Sequence, residues 1–173
     1  MNIRLAQQQD FESILAIYNK AILTYQITGD LVLVTTENRK SWFEFHLTSD
    51  KYPIWVVEEK NEVVGWFSFS PFYERPAFAH ASEISIYLDP SVHGRGYGSN
   101  IIEYMKTQML DKKIKILIAY IFELNTKSMK MMDKHGFKHW GRLPNIANMG
   151  KDEQGNERWR TLVMMAYAED MIT

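Results

Sequence analysis

Between Glu83 and Asn100 the chain reads Glu-Ile-Ser-Ile-Tyr-Leu-Asp-Pro-Ser-Val-His-Gly-Arg-Gly-Tyr-Gly-Ser-Asn. An alternating strand runs into a glycine-rich turn, and an amphipathic helix follows at once. That order aims several backbone N–H groups and a helix N-terminus at one point, a natural place for a phosphate. Gly94, Gly96 and Gly98 let the backbone approach such a group with no Cβ in the way. Glu83 stands one strand-length upstream, a carboxylate able to accept a proton. A phosphate cradle beside a candidate base outlines an enzyme that uses a nucleotide-like cofactor.

The elements that must position these residues are readable along the chain. Ile3 to Ala6 suggests a short strand. Asp10 can then cap a helix whose apolar stripe is Phe11, Ile14, Leu15, Tyr18, Ala21 and Ile22. A looser segment, Tyr25 to Val34, precedes a second helix from near Thr36. Ile54–Glu58 and Val63–Ser70 flank the polar turn Glu59-Lys60-Asn61, a hairpin pattern. Pro71 to Pro76 reads as a loop and Ala81 to Leu88 as the next strand, with Glu83, Ser85 and Tyr87 on one face. The following helix carries Ile101, Ile102, Met105 and Met109. Ile114 to Phe122 is a near-continuous apolar run, as in a buried central strand. Asn125 opens a helix that ends at His135-Gly136, where glycine can adopt the left-handed cap. Two strands, Lys138–Met149 and Arg158–Ala168, close the chain.

At 173 residues, residues 1–173 form one domain large enough to bury a core. Twenty basic against 21 acidic residues give no excess that would favour nucleic acid. Apolar runs are strand-sized and the first residues do not resemble a signal peptide, so no membrane partner and a cytoplasmic location are expected. With no cysteine, disulfides, thiolate metal ligands and a Cys-acyl intermediate are excluded. Acyl transfer, if that is the chemistry, must be direct, with donor and acceptor bound together. Among the histidines, His135 and His139 are four apart but interrupted by Gly136, so no metal site is expected.

The glycine pattern distinguishes between phosphate motifs. A dinucleotide fingerprint begun at Gly94 and Gly96 needs a glycine at position 99, which is Ser99, and no Gly-Lys-Ser/Thr triplet of a Walker loop occurs. His93 to Gly98 instead resembles the Gln/Arg-x-x-Gly-x-Gly/Ala loop of the GNAT N-acetyltransferases, with His93 where that family commonly has Gln or Arg. The order βααβββαβαββ is that of the GNAT fold, a mixed α/β fold with a central sheet of about seven strands and flanking helices. Ile-Tyr-Asn at 17–19, Ser-Trp-Phe at 41–43, Tyr-Pro-Ile-Trp-Val at 52–56 and Val-Val-Gly-Trp-Phe at 63–67 look like its phosphinothricin acetyltransferase branch. So do Arg75 with Ala77-Phe78, Ser-Glu-Ile-Ser-Ile-Tyr at 82–87, and Asn125-x-x-Ser128 leading to Gly136-Phe137.

The resemblance implies roles for particular residues. A strand glutamate by itself is more often solvated or paired across strands, but Glu83 matches the family's general base. It would deprotonate a substrate ammonium, directly or through water, so that a neutral amine attacks the thioester of acetyl-CoA. The pyrophosphate would rest on the amides of Gly94, Arg95, Gly96, Tyr97, Gly98 and Ser99, with His93 beside them. Ile86, Tyr87 and Leu88 would serve the pantetheine arm, Asn125 with Ser128 would contact the CoA arm near the splayed central strands, and one strand N–H would polarise the thioester carbonyl. The alternative for Asn125 and Ser128 is a helix cap alone, and the resemblance favours the CoA contact. Arg75 matches the branch's loop arginine and would grip an acidic group of the acceptor; Tyr25 would border the same pocket.

Two departures stand out. The family's His or Tyr four residues before the terminal glycine of the Asn125 helix, suited to protonating the departing thiolate, is Met132 here, leaving Tyr120 or His93 as candidates. The segment Gln26–Val34 and the long loop Asn148–Arg158 also differ from the branch. The expectation is an acetyl-CoA-dependent N-acetyltransferase acting on a small-molecule amine, an amino acid or an analogue such as phosphinothricin or methionine sulfoximine. A protein or peptide N-terminal acetyltransferase and a non-catalytic CoA sensor are the alternatives, and the family's habit suggests a homodimer.

Overall fold

The computed structural model describes residues 1–169. Seven strands form one sheet in the order β1-β2-β3-β4-β5-β7-β6. They are β1 (Asn2–Leu5), β2 (Ile54–Glu59), β3 (Glu62–Pro71), β4 (Ala81–Leu88), β5 (Ile116–Phe122), β6 (Lys138–Lys151) and β7 (Glu157–Ala168). Helices α1 (Phe11–Ile22) and α2 (Thr36–Thr48) cover one face; α3 (Tyr97–Met109) and α4 (Thr126–Lys134) belong to the other. The mixed sheet and flanking helices are those read from the sequence.

Alternation along β2 and β3 divides the core. Ile54, Val56 and Trp66 pack with Phe11, Ile14 and Phe43 under α1 and α2. Trp55, Val57, Phe67 and Phe69 turn the other way, onto Ile101, Ile102, Met105 and Met109 of α3. Strand β5 is buried on both faces, with Leu117, Ala119 and Ile121 toward the α3 side and Ile118 toward Ala81 and Ala166. This accounts for its continuous apolar sequence.

Asp10 does not cap α1. It precedes Phe11 but accepts no hydrogen bond from the helix. Its carboxylate is instead held by the Arg4 guanidinium at 2.6 and 2.8 Å and by the Gln7 N–H at 2.7 Å. The short polar side chain signalled a helix start, and a cation on β1 offered a stronger, charge-assisted partner. Arg4 holds the Asp10 carboxyl below its usual pKa. A depressed carboxylate stabilises the fold above its unfolded pKa, and that contribution is lost as pH falls through the folded value. Asp10→Ala removes one of the two carboxylates that hold the partly buried Arg4, leaving it Glu58 at 2.7 Å. We expect it to cost about 2 kcal/mol at pH 7, and much less at pH 3, in urea unfolding.

The feature that matters for function is the junction of β4 and β5, the one parallel pair among the described residues. They pair only at Ala81–Ile116, Ser82–Leu117 and Glu83–Ile118. Beyond Glu83, β4 continues along β3 as far as Leu88, while β5 continues along β7 to Phe122. The strands part, and the facing edges of the resulting V carry backbone groups with no neighbouring strand.

Candidate active site

Glu83 is the last β4 residue to pair with β5, so its side chain stands where the V opens. It is half-buried, and burial alone raises its carboxyl above the ordinary carboxylate range. No side chain or backbone group among the described residues hydrogen-bonds or ion-pairs with it. A carboxylate in that state is poised to take a proton, because ionisation has been made costly without a compensating cation. Tyr120 follows Ile118 by two residues and therefore shares Glu83's face. Burial, and next the nearby Glu83 charge, raise its phenol, which stays protonated at neutral pH.

The glycine turn lies just past the end of β4. Gly94 and Gly96 have φ of 79° and 81°, a left-handed conformation that favours glycine. Gly96 occupies the position immediately before α3. A Cβ added at either would meet no protein atom within 4 Å, so both face open space. The six backbone N–H groups from Gly94 to Ser99 have no acceptor among the described residues. Together with the positive end of α3 they form an anion cradle.

Gly98 serves a different purpose from the one expected. A Cβ there would lie 2.5 Å from Met131 Sδ, so this glycine permits α3 to pack closely on α4 rather than clearing space for phosphate. Gly98→Ala should lower Tm by only a few degrees, since the flexible Met131 end can shift, whereas Gly98→Val should lower it more. Acetyl-CoA affinity, measured by calorimetry, should change less than with substitutions at Gly96.

The side chains of the turn face away from the cradle. Arg95 is ion-paired with Glu59 at 2.9 Å, and the Tyr97 hydroxyl donates to the same carboxylate at 2.9 Å. The His93 ring meets the Leu88 carbonyl through Nε2 at 3.1 Å, folding back onto the strand it follows. Glu59, at the tip of the β2–β3 hairpin, thus braces the turn. No local signal reveals it, because its partners are 36 and 38 residues away.

Asn125 caps α4: its Oδ1 accepts from the Ser128 N–H at 3.3 Å. The capping alternative is therefore realised, with the Nδ2 end not engaged in that bond. Met132, at the family's acid position, is buried in the core at 4 % exposure. Its carbonyl accepts from the Phe137 N–H while Gly136, at φ 84°, donates to Asp133, closing the helix in a Schellman arrangement. Met132 can offer no proton to a thiolate.

Arg75 lies in the exposed β3–β4 connection, its guanidinium 5.5 Å from the Tyr73 ring centre, with no ion-pair partner among the described residues. Tyr25 lies in the α1–α2 connection at φ 54°, with Arg158 of β7 4.7 Å above its ring and Arg160 donating to its carbonyl at 3.2 Å. No hydrogen bond or ring contact joins Arg75 to Tyr25. The loop is tied further by the Tyr18 hydroxyl, which meets Thr28 at 2.6 Å and Asp30 at 2.8 Å, and by an Arg39–Asp30 ion pair. Sequence reasoning named Tyr25 but not this arginine–aromatic anchoring from β7.

A diverging parallel pair with a half-buried carboxylate at its apex and an amide cradle at its end can hold an acyl thioester beside an amine. A sequence profile of the Acetyltransferase (GNAT) family matches residues 14–137. The chain belongs to the GNAT acetyltransferase family. This acetyltransferase is 40% identical over 150 residues to YwnH of Bacillus subtilis (strain 168), provisionally named a phosphinothricin acetyltransferase; the match covers 86% of this chain and 91% of that one. It is 30% identical over 147 residues to the L-methionine sulfoximine/L-methionine sulfone acetyltransferase of Salmonella typhimurium (strain LT2), covering 84% and 85%. The solved structure of yncA from Salmonella typhimurium, which holds its cofactor acetyl-CoA, superposes with a TM-score of 0.88 at 27% identity, covering 100% of this chain and 96% of that chain. The acetyltransferase is an acetyl-CoA-dependent enzyme. Among its described residues no helix is long and apolar enough to cross a membrane.

Proposed function

We propose that this enzyme acetylates the amine of a free amino acid or amino-acid analogue, with Glu83 as general base. The observation that carries the reading is the unpartnered, half-buried Glu83 at the apex of the V, on the strand that leads into the turn with six free amides. Acetyl-CoA supplies a thioester acyl group. The amides from Gly94 to Ser99 hold its pyrophosphate, the β5-facing backbone from Ile86 to Leu88 lines its pantetheine arm, and the free end of Asn125 borders it. His93 and the Ser128 hydroxyl stand at the margins of the same groove. Glu83 removes one proton from the acceptor ammonium and the neutral nitrogen attacks the thioester carbonyl; as the C–S bond breaks, Tyr120 protonates the departing sulfur and regains its proton from the nitrogen, which becomes the amide N–H. His93 is the weaker candidate for that step because its Nε2 is engaged by Leu88.

Arg75 binds the acceptor carboxylate as an arginine free of protein anions, and Tyr25 closes the opposite wall. The similarity to a methionine sulfoximine/methionine sulfone acetyltransferase supports a zwitterionic acceptor. Exposed Trp140, Leu143, Ile146 and Trp159 on the β6–β7 hairpin support a homodimer.

Thiol release from acetyl-CoA, measured against amino acids, sulfoximine and phosphinate analogues, polyamines and short peptides, tests the reading. Turnover with amino acids or analogues and little with polyamines is expected; preference for peptides would overturn it. Arg75→Ala should raise the acceptor KM about tenfold or more with kcat within a factor of three, as for loss of a charge-assisted hydrogen bond.

A further inference from the structure

With the acceptor's carboxylate at Arg75 and its amine at Glu83, the acceptor's side chain still needs a place, and the order of residues along the sheet supplies one. On the β3–β4 ladder Ser82 lies opposite Pro71, Glu83 opposite Ser70, Ser85 opposite Ser68, and Tyr87 opposite Trp66. Arg75 belongs to the connection beyond the Pro71 end. In the other direction Glu83, Ser85 and Tyr87 share one face of β4, and Tyr87 and Trp66 pack there under α1 and α2. Between these helices and the sheet lies a cleft with about 390 Å³ of free space, bounded by Tyr18, Arg39, Trp42, Trp66, Ser85 and Tyr87. Ser85, where β4 enters the cleft, is about 7 Å along the strand from Glu83.

The polar groups of this cleft define what it can hold. Trp66 is 3 % exposed, and its Nε1, a donor only, has no hydrogen-bond partner among the described residues. Arg39 is a donor only as well, but its charge is taken up by Asp30, which also accepts from the Tyr18 hydroxyl at 2.8 Å. Among the described residues no carboxylate lines the cleft. A cationic end would therefore meet only donors. An anionic end would give up its hydration with no free cation to replace it. A neutral end that accepts a hydrogen bond would satisfy the buried indole N–H, whose unpaired state costs free energy. The aromatic walls suit an apolar stem.

We infer that this cleft is the acceptor's side-chain pocket and that Trp66 sets its specificity, selecting a methionine-length side chain that ends in a neutral, hydrogen-bond-accepting oxygen. The inference rests on the acceptor reading proposed above. The acceptor lies along β4, its carboxylate toward Arg75, its amine at Glu83 and its side chain reaching past Ser85 to the indole N–H. An acceptor without the oxygen leaves that N–H unpaired, and the site discriminates against it for that reason.

L-Methionine and L-methionine sulfone test the pocket, because they differ only at that end. In calorimetry on the enzyme–CoA complex the sulfone should bind about ten- to a hundredfold more tightly than methionine, the size of one buried donor left unpaired. The kcat/KM ratio should follow. Trp66→Phe keeps an aromatic wall and removes the N–H, so the two affinities should converge to within about threefold, mainly by loss on the sulfone side. Phosphinothricin, whose side chain ends in an anion, should bind more weakly than the sulfone. A crystal structure with the sulfone should place one of its oxygens within hydrogen-bond distance of Trp66 Nε1. Equal or undetectable affinities in the native enzyme, an undiminished preference in Trp66→Phe, tighter binding of phosphinothricin, or a sulfone bound outside the cleft each overturns the inference. If Trp66→Phe does not fold, the native affinities and the crystal structure still decide. Selective binding of the sulfone without its acetylation refutes the proposed function instead and leaves the pocket standing.

Discussion

Glu83→Gln should lower kcat by roughly a hundred- to thousandfold while leaving acetyl-CoA affinity within a factor of two, the size expected for loss of a positioned general base. The amide preserves shape and polarity but cannot accept the ammonium proton. Burial raises the Glu83 carboxyl, so kcat/KM of the native enzyme should climb with pH through a value above the ordinary glutamate pKa. That limb should vanish in the variant. Stability should move the opposite way. A group whose folded pKa is raised contributes stability below its unfolded pKa, and the contribution is lost as pH rises through the folded pKa. At neutral pH the native fold therefore carries an ionised, poorly solvated carboxylate that the variant lacks. Glu83→Gln should have the higher Tm at pH 7.5, and the gap should shrink toward pH 4. Native-like turnover in the variant would remove Glu83 from the mechanism. A fall in its Tm at pH 7.5 would show a structural role for the charge.

Gly96→Ala should weaken acetyl-CoA binding by about ten- to a hundredfold in calorimetry, with a loss of stability of only about 1 kcal/mol. The backbone there has φ of 81°, which an alanine adopts at a cost, while its methyl finds no steric obstacle in the protein. The turn would relieve the strain by rotating, and a rotated turn no longer directs the amides from Gly94 to Ser99 at one anion. Each such bond to a charged group is worth about 1.5–3 kcal/mol, so misaiming one gives the stated range. Because Glu59 braces the turn through Arg95 and Tyr97, the change should stay local. Deacetylated CoA should lose affinity in parallel with acetyl-CoA, since the cradle does not touch the acyl group. An unchanged Kd would locate the pyrophosphate elsewhere.

The architecture was largely legible in the residues because its signals are local. Apolar stripes marked α1 and α3, turn and cap residues marked the β2–β3 hairpin and α4, and Gly136 ended α4 as expected. The chemistry of the β4–α3 segment was equally visible, since strand, turn and helix follow one another without interruption. Local signals misled where a distant partner was stronger. Asp10 was taken by Arg4, and Gly98 was needed by Met131. Ile114 spends its amide on the Met109 carbonyl at the end of α3, and β5 begins at Ile116, two residues later than its apolar run suggests.

The sequence by itself determined which residues could act: a strand glutamate, a glycine turn able to take positive φ, and no thiol to carry an acyl group. Tertiary structure decided what surrounds them. The parting of β4 from β5 at Glu83, the bracing of the turn by Glu59 and the hold of Arg158 and Arg160 on the Tyr25 loop all join residues far apart in the chain. Strand propensity depends on a residue and its neighbours, whereas desolvation of a carboxylate depends on everything folded around it. That is why Glu83 could be named from its place in a strand, while its raised pKa required the sheet to open beside it.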